Sequence, residues 1–512
     1  MAEHRTPPGW ELVQIGSAED VGELAKCERR VLGGQLTLAR HAIFRAISAK
    51  RNLMHSGWAG GPAAGTANLR LLAIFGLTMM WNILLGIDGR IFSTAEYTVL
   101  HWATLLAYPA VVVAVVRILL ERGLQPPDRI SLHAAVRWMP LLIFGITLGL
   151  VIRLPATLSP ANTINSDVTA SIVCASRQVL QGRDPYLQPE LACLHSLRAP
   201  VALGTPLQAG VLAHQTSYPT VAEEAAVARS VAKKGWRTSA YTTFGYPPMA
   251  YVWMLPAATG NLSAWVGYTM VAALVWLAIA GLGAGPLWPA LVLVLLVQVG
   301  DGGLMSAALH GDGEFFGYAL ATLALLWIDR RRLSGLLMGI AMACHPLAWV
   351  IWFGYALFTK TLPGFRDRML WSLGTALVLI VPWLVLERHA LEGIVGLVIQ
   401  PTFGQGLGVV SLFAPAPPLV LRHALTAAVV VGFAGLCLLA WFRRGLLPAL
   451  PVVAMSFLWL GWRSEVSYLS EIFPLAAAMT IGLYRLQVQG RREQVLADVL
   501  GTSGTELTVD LS

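Results

Sequence analysis

The stretch from Ala161 to Tyr186, ANTINSDVTASIVCASRQVLQGRDPY, follows directly on an apolar segment running from Trp138 to Leu158. That junction places it at a membrane surface. It offers one carboxylate, Asp167, then a run from Val168 to Leu180 that reads as a short helix. A turn closes it, Gly182-Arg183-Asp184-Pro185-Tyr186. An acid costs little at the membrane–water boundary, whereas at the bilayer centre it costs roughly 2.5–3.5 kcal/mol on insertion scales. A carboxylate held at that boundary by a short helix has the geometry to deprotonate something that meets a lipid-borne reactant. Asp is also a favoured N-cap residue, and the two roles are compatible.

The composition agrees with a membrane setting. Of 512 residues, 56% are hydrophobic and only 12% charged, with a mean hydropathy of +0.63. Soluble domains carry about 25% charged residues. The apolar residues gather in runs of the ~20 residues that one helical bilayer crossing needs. The expected fold class is therefore an all-α polytopic membrane protein. The net charge of +8 collects in short loops, as the positive-inside rule describes, rather than in an aromatic-lined groove. With neither a P-loop nor a Rossmann glycine pattern, nucleic acid is not an expected partner. The N-terminal region is polar and mixed in charge, so the first membrane helix, not a cleaved signal peptide, is expected to target the chain. The five cysteines have no metal spacing. Cys174 and Cys193 share one large loop, where they either form a disulfide in an oxidising space or remain two thiols.

Residues 1–69 read as a cytoplasmic N-terminal tail, in which Val21 to Ala49 could lie on the inner leaflet as an amphipathic helix. Residues 70–137 hold two N-terminal transmembrane helices, 70–88 and 98–117, and a basic cytoplasmic loop. Residues 138–360 form the main module. It contains helix 138–157, an extracytoplasmic loop 158–261 carrying juxtamembrane helices, and helices 262–283, 286–306 and 313–328. Its last part, 333–359, breaks at His345-Pro346 into two short helices. Residues 361–486 add helices 369–386, 419–441, 445–462 and 470–486, and 487–512 form a cytoplasmic tail. The expected total is about 12 spans, with both termini inside and every short basic loop on one side. Val201 to Lys234 is small and polar without clear periodicity, and is expected to order when substrate binds.

The polar residues left on the outer side are few: Asp167, Arg183 and Asp184; Tyr246; His310, Asp312 and Glu314; His345; Glu387 to His389; and Arg463, Glu465 and Tyr468. A base, several cations and aromatic rings are what a site needs to handle a sugar on a lipid phosphate. The base takes a proton from an acceptor hydroxyl, and cations stabilise the departing phosphate. Asp184 before Pro185 reads as turn chemistry, and Tyr246-Pro247-Pro248 as the entry to an interfacial helix. His310, Asp312 and Glu314 could contact a sugar or acceptor. They could also offer hard ligands to Mg or Mn, but their spacing is no metal motif, and no metal or cofactor is expected. Arg463 is a candidate phosphate ligand, with snorkelling to the interface as its ordinary alternative.

Asp167 followed by Val179-Leu180-Gln181-Gly182-Arg183-Asp184-Pro185-Tyr186 resembles the first outer loop of polyprenol-phosphate-dependent glycosyltransferases. More narrowly, the chain is similar to glycosyltransferase family 87, the bacterial α-mannosyltransferases of the GT-C superfamily. Phe244 to Ala250 resembles that family's Tyr-Pro-Pro juxtamembrane helix, and His310 to Tyr318 with Leu323 to Arg332 its Gly-acid motif and following helix. Leu336 to Ala341 before His345-Pro346 is similar to its glycine-containing hairpin, with His345 standing where family members commonly carry Lys. The resemblance covers residues 138–360. It implies a GT-C-like bundle in the bacterial plasma membrane with an outer-face site. It also implies inverting transfer of a hexose, usually mannose, from a polyprenyl-phosphate sugar donor to a glycolipid or glycan acceptor. Asp167 takes the place of the catalytic base. Arg183, Tyr246, His310, Asp312, Glu314, His345, Arg463 and Tyr468 would contact substrate.

Two other classes fit the pattern less well. A lipid or glycolipid transporter or flippase would need ionisable or helix-breaking residues near the midplane in both halves, often with an internal repeat. The helix cores read as nearly free of charge, and the halves show no repeat. A catalytically inactive GT-C-like scaffold is the other class. Among enzymes, an aminoarabinose or arabinose transferase would read almost identically, and no motif encodes the donor sugar or the acceptor.

Overall fold

In hydrocarbon every backbone N–H and C=O must be satisfied within the protein, which leaves a chain of this kind little choice but helix. Nearly every element of the computed structural model is helical. The structure describes residues 62–91, 99–120, 167–187, 190–197, 217–220, 222–226, 244–298, 303–386, 405–406, 408–413, 419–461, 463–464 and 466–500, with the single residues 199, 201 and 229. Residues 60–489 with 509–512 form one unit and 1–59 with 490–508 another; of the second, only 490–500 is described, and it is helical.

Helices α1 (Pro62–Ile91) and α2 (Val99–Leu120) cover the first two expected spans. Then come α3 (Asp167–Leu180), α4 (Glu190–Ser196), α5 (Pro248–Val252), α6 (Leu262–Ala284), α7 (Trp288–Val297), α8 (Leu304–Leu309) and α9 (Glu314–Leu326). They are followed by α10 (Arg331–Cys344), α11 (Leu347–Thr359) and α12 (Phe365–Leu386). Strand β1 (Gln405–Gly406) precedes α13 (Leu419–Phe442) and α14 (Leu450–Val453). It pairs in parallel with β2 (Arg463–Ser464), which leads to α15 (Val466–Ser470) and α16 (Ile472–Leu500). The segments expected at Val21 to Ala49, 138–157 and Glu387 to His389, and most of Val201 to Lys234, lie outside the described residues. Within the last, Thr220 and Glu223 form a reciprocal capping box at the turn 222–226. The Thr220 N–H and hydroxyl both donate to Glu223 Oε2, and Glu223 N–H donates to Thr220 Oγ1.

Among the described residues, four helices are long and apolar enough to cross a membrane: Ala64–Leu85, Leu262–Val297, Phe365–Leu386 and Val420–Phe442. In the last two only 11% of the apolar window is buried, so their outer faces carry exposed Leu, Val and Phe that suit lipid rather than water. Two expected spans take another form. The helix expected over 286–306 is divided between α7 and α8, after Gly285 turns the chain at φ 56°. The helix expected over 445–462 is instead a 3₁₀ turn (Arg444–Ala449), the short α14 and a second 3₁₀ turn (Ala454–Leu460). Pro448 and Pro451, three residues apart, supply no amide hydrogen, so two α-ladder bonds are missing in that segment. The break expected at His345-Pro346 stands between α10 and α11.

The packing core is α10 between α9 and α12. Gly335 and Gly339, four apart on α10, let the two backbones approach closely, as small-xxx-small spacing does in membrane helices. A β-carbon on Gly335 would lie 2.7 Å from the Arg368 carbonyl oxygen, and one on Gly339 would collide with that of Ser372.

The helix ends that the charge pattern assigns to one side of a membrane do meet. Arg485 grips both carboxylate oxygens of Asp329 at 2.7 Å, donates to the Gly283 carbonyl at 2.6 Å, and lies 4.3 Å from the Trp327 ring centroid. Arg368 caps the same end, donating to the carbonyls of Pro363 and Ile328 at 2.6 and 2.8 Å. The Lys360 ammonium stands 4.4 Å from the Trp441 ring centroid.

Gly339→Val is expected to lower the thermal midpoint in detergent by the equivalent of about 1–3 kcal/mol, the range for overpacking. Gly374→Ala, where a β-carbon meets nothing within 4 Å, should leave the midpoint unchanged or raise it. Equal behaviour of the two variants would show that α10 and α12 do not pack as described.

Candidate functional site

Helix α8 ends in a Schellman motif. Gly311 sits at φ 74°, its N–H donates to the Ala308 carbonyl, and Asp312 N–H reaches back to Ala307 at 2.9 Å. Helix α9 begins at once, with the Asp312 carboxylate accepting from Glu314 N–H at 2.9 Å. The motif that reads as three titratable groups in five residues is therefore first a joint between helices. His310 is the C-cap of α8, and its Nδ1 bonds to the Ser306 carbonyl at 2.8 Å. Gly313 leaves no room for a side chain, since a β-carbon there would stand 2.9 Å from Ile172 of α3.

This joint delivers Glu314 into the interior, where it is 5% exposed. A buried carboxylate needs donors, and two arrive from distant parts of the chain. Tyr246 donates its hydroxyl to Glu314 Oε1 at 3.0 Å, and His345 Nε2 lies 3.0 Å from the same oxygen. The position at the first turn of α9 also favours negative charge. His345, 1% exposed, occupies the break between α10 and α11. Leu347 N–H donates to its Nδ1 at 3.2 Å, which assigns the ring proton to Nε2 and makes it the donor to Glu314. Tyr318 and Tyr246 flank the imidazole with ring centroids at 4.8 and 5.6 Å. Gly317 admits it, because a β-carbon there would come within 2.6 Å of His345 Cβ.

A second set of bonds ties this centre to the turn after α3. Tyr186 hydroxyl donates to the Tyr246 carbonyl at 2.7 Å, and Tyr186 N–H donates to Asp184 Oδ1 at 2.8 Å. Asp184 thus acts in the turn, as its place before proline suggests. Gly182, at φ 69°, and Arg183 close α3 through another Schellman pair, donating to Val179 and Gln178. Helix α3 is further fixed by the Cys174–Cys193 disulfide to α4 and by Ser176 donating to the Tyr251 carbonyl at 2.8 Å. Arg177 donates to the carbonyls of Ala258 and Gly260 at 2.6 and 2.9 Å. Partial burial of its guanidinium lowers the Arg177 pKa from the usual arginine value.

Tyr246, Glu314 and His345 are therefore brought together, with Asp312 directly behind them. Asp167 is the first residue of α3, about 7.5 Å along the helix axis from Ile172, which touches Gly313. Its side chain lies outside the described residues, as does that of Arg463 in β2. Arg183 is exposed at its turn, and Tyr468 is buried in α15. One acid was missed from the sequence. Glu471, at the joint between α15 and α16, is 1% exposed, and its Oε2 has no hydrogen-bond partner among the described residues. Among the described residues no three His, Cys, Asp or Glu side chains are grouped so as to hold a metal ion.

No family description matches the chain, and no curated protein or solved structure is significantly similar to it.

The Tyr246 hydroxyl donates to a buried carboxylate, so Tyr246→Phe should cost about 1.5–3 kcal/mol of stability. His345→Ala should cost at least as much, and the double variant should fall short of the sum because both donors serve one oxygen. Thermal unfolding in detergent reads all three. A neutral Tyr246→Phe would remove the hydroxyl from the account of Glu314.

Proposed function

We propose that this chain is a membrane glycosyltransferase. It would move a hexose, most readily mannose, from a polyprenyl-phosphate sugar donor to a glycolipid or polysaccharide acceptor. The reading keeps the GT-C-like arrangement of about 12 crossings, with both termini in the cytoplasm and the site on the outer face of a bacterial plasma membrane. The observation that carries it is the seating of α3. Asp167 opens this helix, and Ile172 of the same helix lies against Gly313, beside the buried Tyr246–Glu314–His345 centre.

In this mechanism the acceptor hydroxyl oxygen attacks the anomeric carbon and its proton passes to the Asp167 carboxylate. The bond from that carbon to the phosphate oxygen breaks, and its electron pair leaves with the polyprenyl phosphate, inverting the anomeric centre. Arg463, and Arg183 from its exposed turn, are the cations proposed to meet the phosphate. His345 would act differently, since both its ring nitrogens are engaged within the protein. Glu314 and Tyr246 would orient the sugar or acceptor.

One observation favours a second reading. Two buried acids, Glu314 and Glu471, within one apolar helical unit are also what proton-coupled transporters use.

The test is transfer of labelled mannose from polyprenyl-phosphate mannose to a membrane lipid extract, by wild type and by Asp167→Asn. The substitution keeps size and hydrogen bonding but removes the base. A loss of about 10²–10⁴-fold is expected, the usual contribution of a general base. Equal transfer by both proteins would move the base to Asp312 or Glu314. Transport of a lipid-linked sugar without transfer would favour the second reading.

A further inference from the structure

Helices α10 and α11 fold back on each other at the His345-Pro346 break, which brings the start of α10 and the end of α11 to the same end of the unit. The turn after α11 touches that start directly. The Arg331 side chain lies over Gly364, where a β-carbon would collide with it. Helix α13 finishes at the same end, because Trp441 in its last turn meets the Lys360 ammonium. Three elements therefore deliver cations to one place. Arg330, Arg331 and Arg332 stand at the start of α10, Lys360 and Arg366 flank the turn into α12, and Arg443 and Arg444 follow α13. All seven are exposed.

Little in these segments balances them. Among the described residues of 329–332, 359–368 and 441–449, the acids are Asp329 and Asp367. Asp329 is already gripped by Arg485, and Arg330 approaches it only to 3.8 Å with 68% of its own side chain exposed. That leaves one carboxylate, Asp367, against seven cations. Like charges gathered by folding repel one another until a counter-charge arrives.

The surroundings indicate which counter-charge. Leu370, one turn beyond Arg366, is 71% exposed, and Phe442, next to Arg443, is 76% exposed. Both belong to α12 and α13, whose apolar windows are the least buried of the four long helices. The cations stand where those lipid-suited faces run out, and Trp441 beside Lys360 is the residue type that sits at headgroup level. A phospholipid meets this arrangement with both of its halves. An acidic soluble protein would match the charge but not the apolar faces continuous with it.

We propose that this end of the unit is a binding site for anionic phospholipid, whose headgroup phosphates accept from Arg331, Lys360 and Arg443 and whose acyl chains lie along α12 and α13. Single basic residues snorkel at any membrane surface. This set differs in that the fold converges it from three elements and leaves it short of carboxylates. The site uses no residue of the Glu314 centre and stands apart from the transferase reading.

Purified protein in a neutral maltoside detergent is titrated with phosphatidylglycerol and, separately, with phosphatidylcholine of the same acyl chains, binding being read from the thermal midpoint. Phosphatidylglycerol should bind more tightly and raise the midpoint further. The triple variant Arg331→Gln/Lys360→Gln/Arg443→Gln should bind phosphatidylglycerol on the order of 100-fold more weakly, at about fivefold for each basic residue taken from an anionic surface. Its response to phosphatidylcholine should not change. Its lipid-free midpoint should stay close to that of wild type, since all three side chains are exposed. Arg229→Gln, exposed in the segment between α4 and α5, removes one charge elsewhere and should keep the whole preference. Should the triple variant not fold, wild type alone decides. Raising salt from about 0.1 to 1 M shortens the Debye length from about 10 to 3 Å and should erase most of the preference for phosphatidylglycerol.

An equal response of wild type to the two lipids, a preference that survives high salt, or one that survives the triple substitution would overturn the site. Inorganic phosphate raising the midpoint as far as phosphatidylglycerol does would assign the cations to a soluble anion and overturn the lipid. A loss in Arg229→Gln as large as in the triple variant would show that net charge acts rather than this place, and would overturn it as well.

Discussion

The carboxylate of Glu314 sets the terms for much of the structure around it. Removed from water, it requires donors, and the chain supplies them from Tyr246, almost seventy residues earlier, and His345, about thirty later. Each donor then has to be placed. Tyr246 is positioned by the Tyr186 hydroxyl on its carbonyl and by the two prolines that start α5. His345 is positioned by the break between α10 and α11 and by the space left at Gly317. Burial of one charge thus organises the loop after α3, the start of α5 and the α10–α11 corner into one assembly. A pair of this kind is weak evidence for net stability, since desolvation offsets much of the attraction, but losing either partner is expensive. Its value is in fixing geometry.

The opposite end of the same helices uses charge differently. There Asp329 and Arg485 meet in a forked pair that is only partly buried, and Arg368 turns its guanidinium onto carbonyls left over at helix ends. Between the two ends α10 and α12 run close together on glycine. The unit is held by ionic and capping bonds at its ends and by backbone proximity in its middle.

What the sequence makes legible follows from what is local. The short helix from Val168 to Leu180, the turn at Gly182 to Tyr186 and the break at His345-Pro346 are written in glycine, proline and Asp at fixed offsets. The grouping of Asp329 with Arg485 was implied by where basic residues fall along the chain. By contrast Glu471 lies between Leu469-Ser470 and Ile472-Phe473 and reads as an ordinary helix end. The residues just before it, Leu469 and Ser470, are held by Trp81, Tyr108 and Gln298, which arrive from three other elements. Hydropathy alone makes 445–462 one helix, whereas Pro448 and Pro451, three residues apart, each remove a ladder donor where the chain turns to 3₁₀ geometry. His310, Asp312 and Glu314 looked alike in sequence, yet one caps a helix, one starts the next, and only Glu314 faces the two donors.

Helix length bears on how deep the Glu314 centre would sit in a bilayer. At 1.5 Å per residue, the thirteen-residue α9 and α11 are each about 20 Å long, against the roughly 30 Å of a hydrocarbon core, whereas the twenty-two-residue α12 reaches about 33 Å. Glu314 opens α9 and His345 closes α10, while Arg330 and Lys360 mark the other end of the same short helices. With those cations placed at one headgroup layer, the Glu314 centre would lie some 10 Å short of the other. A headgroup attached to a long apolar tail would reach it by sinking, not by leaving the leaflet. A water-borne molecule would have to descend to meet it.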